Sequence, residues 1–197
     1  MPKGFVLKKI ILASASPRRK EILKEMGLDF EIVPSDYDEK LENDIFSVEK
    51  IEMLALNKAK DVFIKFEKSQ SALVLSADTV VVLQNKILGK PKDEKEAFLM
   101  LKNLSDKKHS VVTSVCGICV ESEKTKIVST VSYVVFKELS DKLIKDYIEK
   151  YMPLDKAGSY GIQELPDGFV SSVEGSFKNI MGLCPKAVEE VIYSFKK

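Results

Sequence analysis

A chain of 197 residues, 45% hydrophobic and 31% charged, is long enough to bury a substantial core and too apolar to remain disordered. Its net charge of +1, with no long basic block, argues against a broad nucleic-acid or membrane surface but leaves room for a small anion in a local pocket. Three cysteines and one histidine are too few soft ligands for a convincing zinc site.

The opening MPKGFVLKKIILASAS holds only a short apolar run, which predicts neither a membrane span nor a signal peptide. The expectation is therefore a cytoplasmic chain. KKIILAS predicts a short buried strand, and PRRKEILKEMG a helix closed by Gly27. FEIVPS follows as a strand, and Ser47 is a plausible N-cap for the long helix SVEKIEMLALNKAKDVFIKFEK. ALVLSADTVVVLQNKILGKP predicts a strand, a tight turn at Asn85-Lys86 and a short return strand, with DEKEAFLMLKNLS helical after it. HSVVTSVCGICVESEKTKIVSTVSYVVFK predicts two long strands joined through SEKTK. LSDKLIKDYIEKY is a helix ended by Pro153, and PKAVEEVIYSF one started by Pro185. No internal repeat, low-complexity stretch or Gly/Ser-rich linker interrupts the chain. The expected architecture is one α/β domain over residues 1–197 with a mixed, twisted sheet and flanking helices.

Several residues are costly where they stand. Ile22, Leu23 and Met26 define the inward stripe of the first helix, so Arg18 and Arg19 emerge near its buried side at the first turn. Cations there oppose the helix dipole, while the unpaired amides of that turn favour an anion. Ser16-Pro17 is equally a routine cap, so both readings stand. Lys58 falls within the apolar stripe Ile51, Leu54, Ala55, Ala59, Val62 and Phe66, either snorkelling outward or reaching into a cleft. Asp78 interrupts LVLSADTVVVL on the face shared by Val74, Ser76, Val80 and Val82. A carboxylate there must be hydrogen-bonded, paired, metal-bound or protonated, which favours a catalytic or metal-binding role over a structural one.

Other stretches are less decisive. YDEK offers Asp38 and Glu39; LGKP holds Lys90 in a constrained loop; DKAGSYGIQ combines two glycines with Lys156, Tyr160 and Gln163. Cys116 and Cys119 have redox-pair spacing but fall on a strand, so buried structural thiols are expected. His109, in SDKKHS, reads as a solvated loop residue.

LASASPRR, SADTVV, LGKP and DKAGSYGIQ, in that order and at about these spacings, resemble the Maf family of nucleoside triphosphate pyrophosphatases, from about residue 9 to residue 195. The resemblance implies an inosine-triphosphatase-like α/β fold with two lobes around a cleft. It also implies hydrolysis of a nucleoside triphosphate to monophosphate and pyrophosphate with a divalent metal, Mg²⁺ or Mn²⁺. Asp78 is then the catalytic proton acceptor, and Glu39, Lys58 and Lys90 correspond to the family's acid and lysines. Arg19, Thr79 and Gln163 match the group acting on dTTP and UTP. The group acting on 7-methyl-GTP commonly carries a Trp near SPRR, and this chain has none. The family's Gly-Leu-Pro is here Gly182-Leu183-Cys184-Pro185, which can shift the start of the last helix by a residue.

On that basis the metal would be held by Asp78 and Glu39, and the polyphosphate by Ser14, Ser16, Arg18, Arg19, Lys58 and Lys90. Gln163 and Thr79 would help select the base. The rival readings are a pyrophosphatase for modified purine nucleotides such as 7-methyl-GTP or ITP, and a non-catalytic regulator linked to septum formation or nucleic acid. A house-cleaning or growth-control role and a homodimer are family-level expectations. No nucleic-acid or membrane partner is expected.

Overall fold

Strand alternation sets the layers from the first strand onward. In β1 (Lys9–Leu12), Ile10 and Leu12 enter one apolar cluster, while Ile11, with Ala13 just beyond, enters another on the opposite face. A strand buried on both faces is what a near-continuous apolar run such as KIIL encodes. The computed structural model describes residues 9–39 and 44–195. The expectations for residues 1–8, and for Lys40 in YDEK, lie outside the described residues.

After β1 come α1 (Pro17–Glu25), β2 (Phe30–Ile32), α2 (Val48–Phe63), β3 (Ala72–Leu83) and β4 (Lys86–Leu88). The second half holds α3 (Glu94–Leu104), β5 (Lys108–Cys119), β6 (Thr125–Phe136), α4 (Asp141–Tyr151), β7 (Val170–Glu174), α5 (Phe177–Met181) and α6 (Pro185–Ser194). Two 3₁₀ turns, Pro153–Asp155 and Ala157–Ser159, lie between α4 and β7. The sheet runs β2-β1-β3-β5-β6-β7, with β4 paired to β3. β1 is parallel to β2 and β3, whereas β3, β5, β6 and β7 pair antiparallel, so the sheet is mixed as expected.

α2 covers one face, burying Ala55, Ala59 and Val62 against Val74 and Cys116 and, nearer its N-terminus, Ile51 and Leu54 beside Val80 and Val82. The larger core fills the other face, where α1, α3, α4 and α6 bring Ile22, Leu101, Ile144 and Val188 together. Gly117 lets α6 approach β5: a Cβ there would run into a methyl of Val191.

Local boundaries follow recognisable chemistry. Ser16 caps α1, with Pro17 at its first position, and Gly27 leaves it at φ +69°. Ser47, Asp93 and Ser140 cap α2, α3 and α4 through their side-chain oxygens. The β3–β4 turn falls on Gln84 and Asn85, one residue before the expected position, and both have positive φ. α6 begins at Pro185 with Cys184 as its N-cap.

Two elements had no sequence expectation, β7 and the five-residue α5. One expectation is corrected: His109 is not a solvated loop residue. β5 starts at Lys108, and pairing of His109 with Val134 turns the ring inward to 2% exposure. There its Nε2 lies 2.8 Å from the Tyr160 hydroxyl, edge-on to Phe136. Cys116 and Cys119 are buried and outside any disulfide, and burial pushes the Cys116 thiol up to about 12, which suits a structural role.

Candidate active site

β1 and β3 lie side by side and parallel, and the chain leaving β1 turns directly into α1. Ala13 continues the ladder through its amide to the Leu75 carbonyl at 2.8 Å, which places Ser14 to Arg19 beside the middle of β3. The Ser14 hydroxyl accepts the Ser16 amide at 3.3 Å and Arg19 Nη1 at 3.1 Å. Arg19 Nε donates to the Gly182 carbonyl at 2.9 Å and Nη2 to Thr79 Oγ1 at 3.3 Å. The guanidinium is thereby fixed on three sides, with further N–H groups left for a ligand.

Beside this cationic mouth lies a cleft of about 430 Å³. Lys58, on α2, is only 8% exposed, and its ammonium donates to Asp78 Oδ1 on β3 and sits 2.7 Å from Glu39 Oε1. Lys58 therefore does not snorkel to solvent; it bridges two carboxylates from separate segments. Asp78 is 4% exposed, and burial drives its carboxyl above the usual range despite the opposing charges of Lys58 and Arg19. Burial acts the same way on Glu39, but its bond to Lys58 and the charges of Lys58, Lys90 and Arg19 prevail, holding that carboxyl below its usual range. The two acids are thus driven apart around one ammonium, Asp78 upward by burial and Glu39 downward by its cationic neighbours.

The opposite wall is the segment after α4. Lys156 is 7% exposed and contacts Asp155 at 2.9 Å and Glu164 at 3.2 Å. The Gly161 amide donates to the Tyr147 hydroxyl at 3.1 Å, while the His109–Tyr160 contact holds the neighbouring ring. Gly158, at φ +66°, donates its amide to the Gly89 carbonyl at 3.0 Å, tying this wall to the loop that carries Lys90.

Ser14, Ser16, Arg18, Arg19, Glu39, Lys58, Asp78, Thr79, Lys90 and Gln163 all line this cleft. Arg19 and Thr79 touch, whereas Gln163 stands exposed on the far wall. Asp38 is not part of the lining. Asp155 lines the cleft 3.9 Å from Arg18 and was not anticipated; its only sequence signal was an acid directly before the Lys-Ala-Gly turn. Thr113 and Asn179 were missed as well. Thr113 Oγ1 lies 3.0 Å from Thr79 Oγ1 and donates to the Asn179 carbonyl at 2.9 Å.

Among the described residues no three His, Cys, Asp or Glu side chains gather as a metal cage. Asp78 and Glu39 nevertheless supply two hard oxygen donors at one point of the cleft. One or two carboxylates with the remaining ligands taken from substrate phosphates and water suit Mg²⁺.

A profile of the family described as Maf-like protein matches residues 9–195, and the chain belongs to that family. A protein of Caldicellulosiruptor saccharolyticus named dTTP/UTP pyrophosphatase is 44% identical, the match covering 90% of this chain and 89% of that one. Proteins of the same name from Alkaliphilus oremlandii and Acetivibrio thermocellus are 46% and 42% identical, covering 90% and 95% of this chain and 91% and 95% of theirs. A solved structure described as "The structure of the Staphylococcus aureus Ham1 protein" shows a loose likeness, TM-score 0.44 at 16% identity, covering 66% of this chain and 72% of that one. Among the described residues no helix is long and apolar enough to cross a membrane.

Proposed function

We propose that this protein is a nucleoside triphosphate pyrophosphatase that hydrolyses dTTP and UTP to the monophosphate and pyrophosphate. The observation that carries the reading is one buried ammonium, Lys58, shared by Asp78 and Glu39 opposite a helix mouth lined by Ser14, Arg18 and Arg19. Family membership and the dTTP/UTP pyrophosphatase name of its relatives support the same reading.

In the proposed reaction the oxygen of water bonds to the α-phosphorus, the bond from that phosphorus to the α–β bridging oxygen breaks, and pyrophosphate leaves with that oxygen. Asp78, whose carboxyl reaches the cleft from β3, takes the proton of the attacking water. Lys58 holds Asp78 in place and keeps Glu39 ionised beside it. Arg18, Arg19 and Lys90, with Ser14 and Ser16, grip the polyphosphate and stabilise charge that grows on the leaving group. A divalent metal would be held by Asp78 and Glu39 and, when bound, neutralises phosphate charge. The apolar wall of Val111, Ile180 and Met181 receives the base, and Thr79 and Gln163 contribute its polar recognition.

Purified protein is offered dTTP, UTP, 7-methyl-GTP and ITP with Mg²⁺ or Mn²⁺, and pyrophosphate is measured. The expected result is fastest release from dTTP and UTP. A preference for either purine nucleotide would move the assignment to the modified-purine group.

A further inference from the structure

Thr113 sits on β5 directly opposite Thr79 on β3, in register, fully buried and one layer behind the cleft. Its hydroxyl has one hydrogen, and the Asn179 carbonyl takes it at 2.9 Å. Asn179 is itself anchored, its side-chain amide donating to the Val111 carbonyl at 3.0 Å and to Ser132 Oγ at 3.1 Å. With its hydrogen committed, Thr113 can meet Thr79 Oγ1 at 3.0 Å only as an acceptor, so the hydrogen between the two oxygens belongs to Thr79.

The other neighbours of Thr79 act in the same sense. Arg19 Nη2 donates to Thr79 Oγ1 at 3.3 Å, and a guanidinium repels a hydroxyl hydrogen turned toward it. The rival acceptor for that hydrogen, the Gly182 carbonyl, is farther away at 3.3 Å and already receives Arg19 Nε at 2.9 Å. Thr79 therefore has its hydrogen drawn inward to Thr113, one lone pair occupied by Arg19, and its remaining lone pair available to the cleft.

We propose that Thr113 is a specificity-determining positioning residue, which locks Thr79 as an acceptor so that the site favours a pyrimidine carrying a hydrogen on N3 over one that does not. Uracil and thymine present N3–H, a donor; cytosine presents a bare N3, an acceptor. A fixed acceptor rewards the first and leaves two lone pairs facing each other with the second. This inference rests on the dTTP/UTP reading above and adds how cytosine nucleotides are turned away.

The test compares kcat/KM for dTTP and dCTP, by pyrophosphate release, in wild type, Thr113→Val and Thr113→Ser. Valine keeps the shape and removes the acceptor, so the Thr79 hydrogen is free to turn toward a cytosine N3. The dTTP:dCTP ratio is expected to fall roughly tenfold, the worth of about one neutral hydrogen bond. Serine restores the hydroxyl and is expected to keep the wild-type ratio. Equal losses for both nucleotides in Thr113→Val, with the ratio unchanged, would reduce Thr113 to a structural residue and overturn the proposal. If cooperative urea unfolding shows that valine is not accommodated, Thr113→Cys, a weak acceptor of similar size, is judged by the same ratio. A wild type inactive on dTTP would overturn the functional reading and this inference with it; an active wild type with an unchanged variant ratio overturns the inference alone.

Discussion

A cation or carboxylate on an apolar stripe is legible in sequence because it has no inexpensive reason to be there. Lys58 and Asp78 are both of this kind, and they turn out to satisfy each other. Sequence left Lys58 open between snorkelling and the cleft, and only the position of α2 over β3 decides it. His109 shows the converse. Its neighbours Ser105 to Lys108 are polar, which disguised a ring that β-pairing turns into the core. Burial lowers this histidine from 6.5 to about 4, so the folded protein binds its proton less readily than the unfolded chain. The stability is fully present above the unfolded value of 6.5 and is lost as pH drops toward about 4, by up to about 3 kcal/mol. His109→Gln, whose amide can still meet the Tyr160 hydroxyl, is expected to lose that part of the pH dependence. Urea midpoints at pH 7, 5.5 and 4.5 measure it, and parallel slopes in both proteins would contradict the assignment.

At the scale of elements, the caps and strand runs of the first half were readable because each is encoded locally, by Ser16-Pro17, Ser47 or a run such as ALVLSADTVVVL. β7 and α5 were not, because VSSVE and FKNIM are short and owe their form to partners far away in sequence. The same distance hid the Thr79–Thr113–Asn179 chain, whose links span 34 and 66 residues. Gly158 joins two elements of the site, since its amide holds the Gly89 carbonyl beside Lys90 and its missing Cβ leaves room for Val81. In Gly158→Ala the new carbon would stand 2.9 Å from a Val81 methyl at φ +66°. A stability loss of about 1–3 kcal/mol is expected, by thermal unfolding. Because the Lys90 loop moves with it, KM for dTTP should rise by roughly tenfold. An unchanged KM would separate the two loops functionally.

Across the whole molecule, the parallel pair β1 and β3 brings Ser14 to Arg19 beside Asp78 and Thr79, and the antiparallel β5 adds Val111 to the cleft wall. The sheet carries Asp78 and Val111, while α1, α2 and α5 packed against it bring Arg18 and Arg19, Lys58, and Ile180 and Met181 to the same cleft. In the proposed reaction this frame lets Asp78 deprotonate water at the α-phosphorus. The most direct measurement is pyrophosphate release from dTTP by wild type and Asp78→Asn, with folding checked by cooperative urea unfolding. The wild type should yield pyrophosphate and dTMP in equal amounts, and the folded variant should lose roughly 10²–10⁴-fold in kcat. A folded Asp78→Asn protein turning over dTTP at close to the wild-type rate would contradict the account.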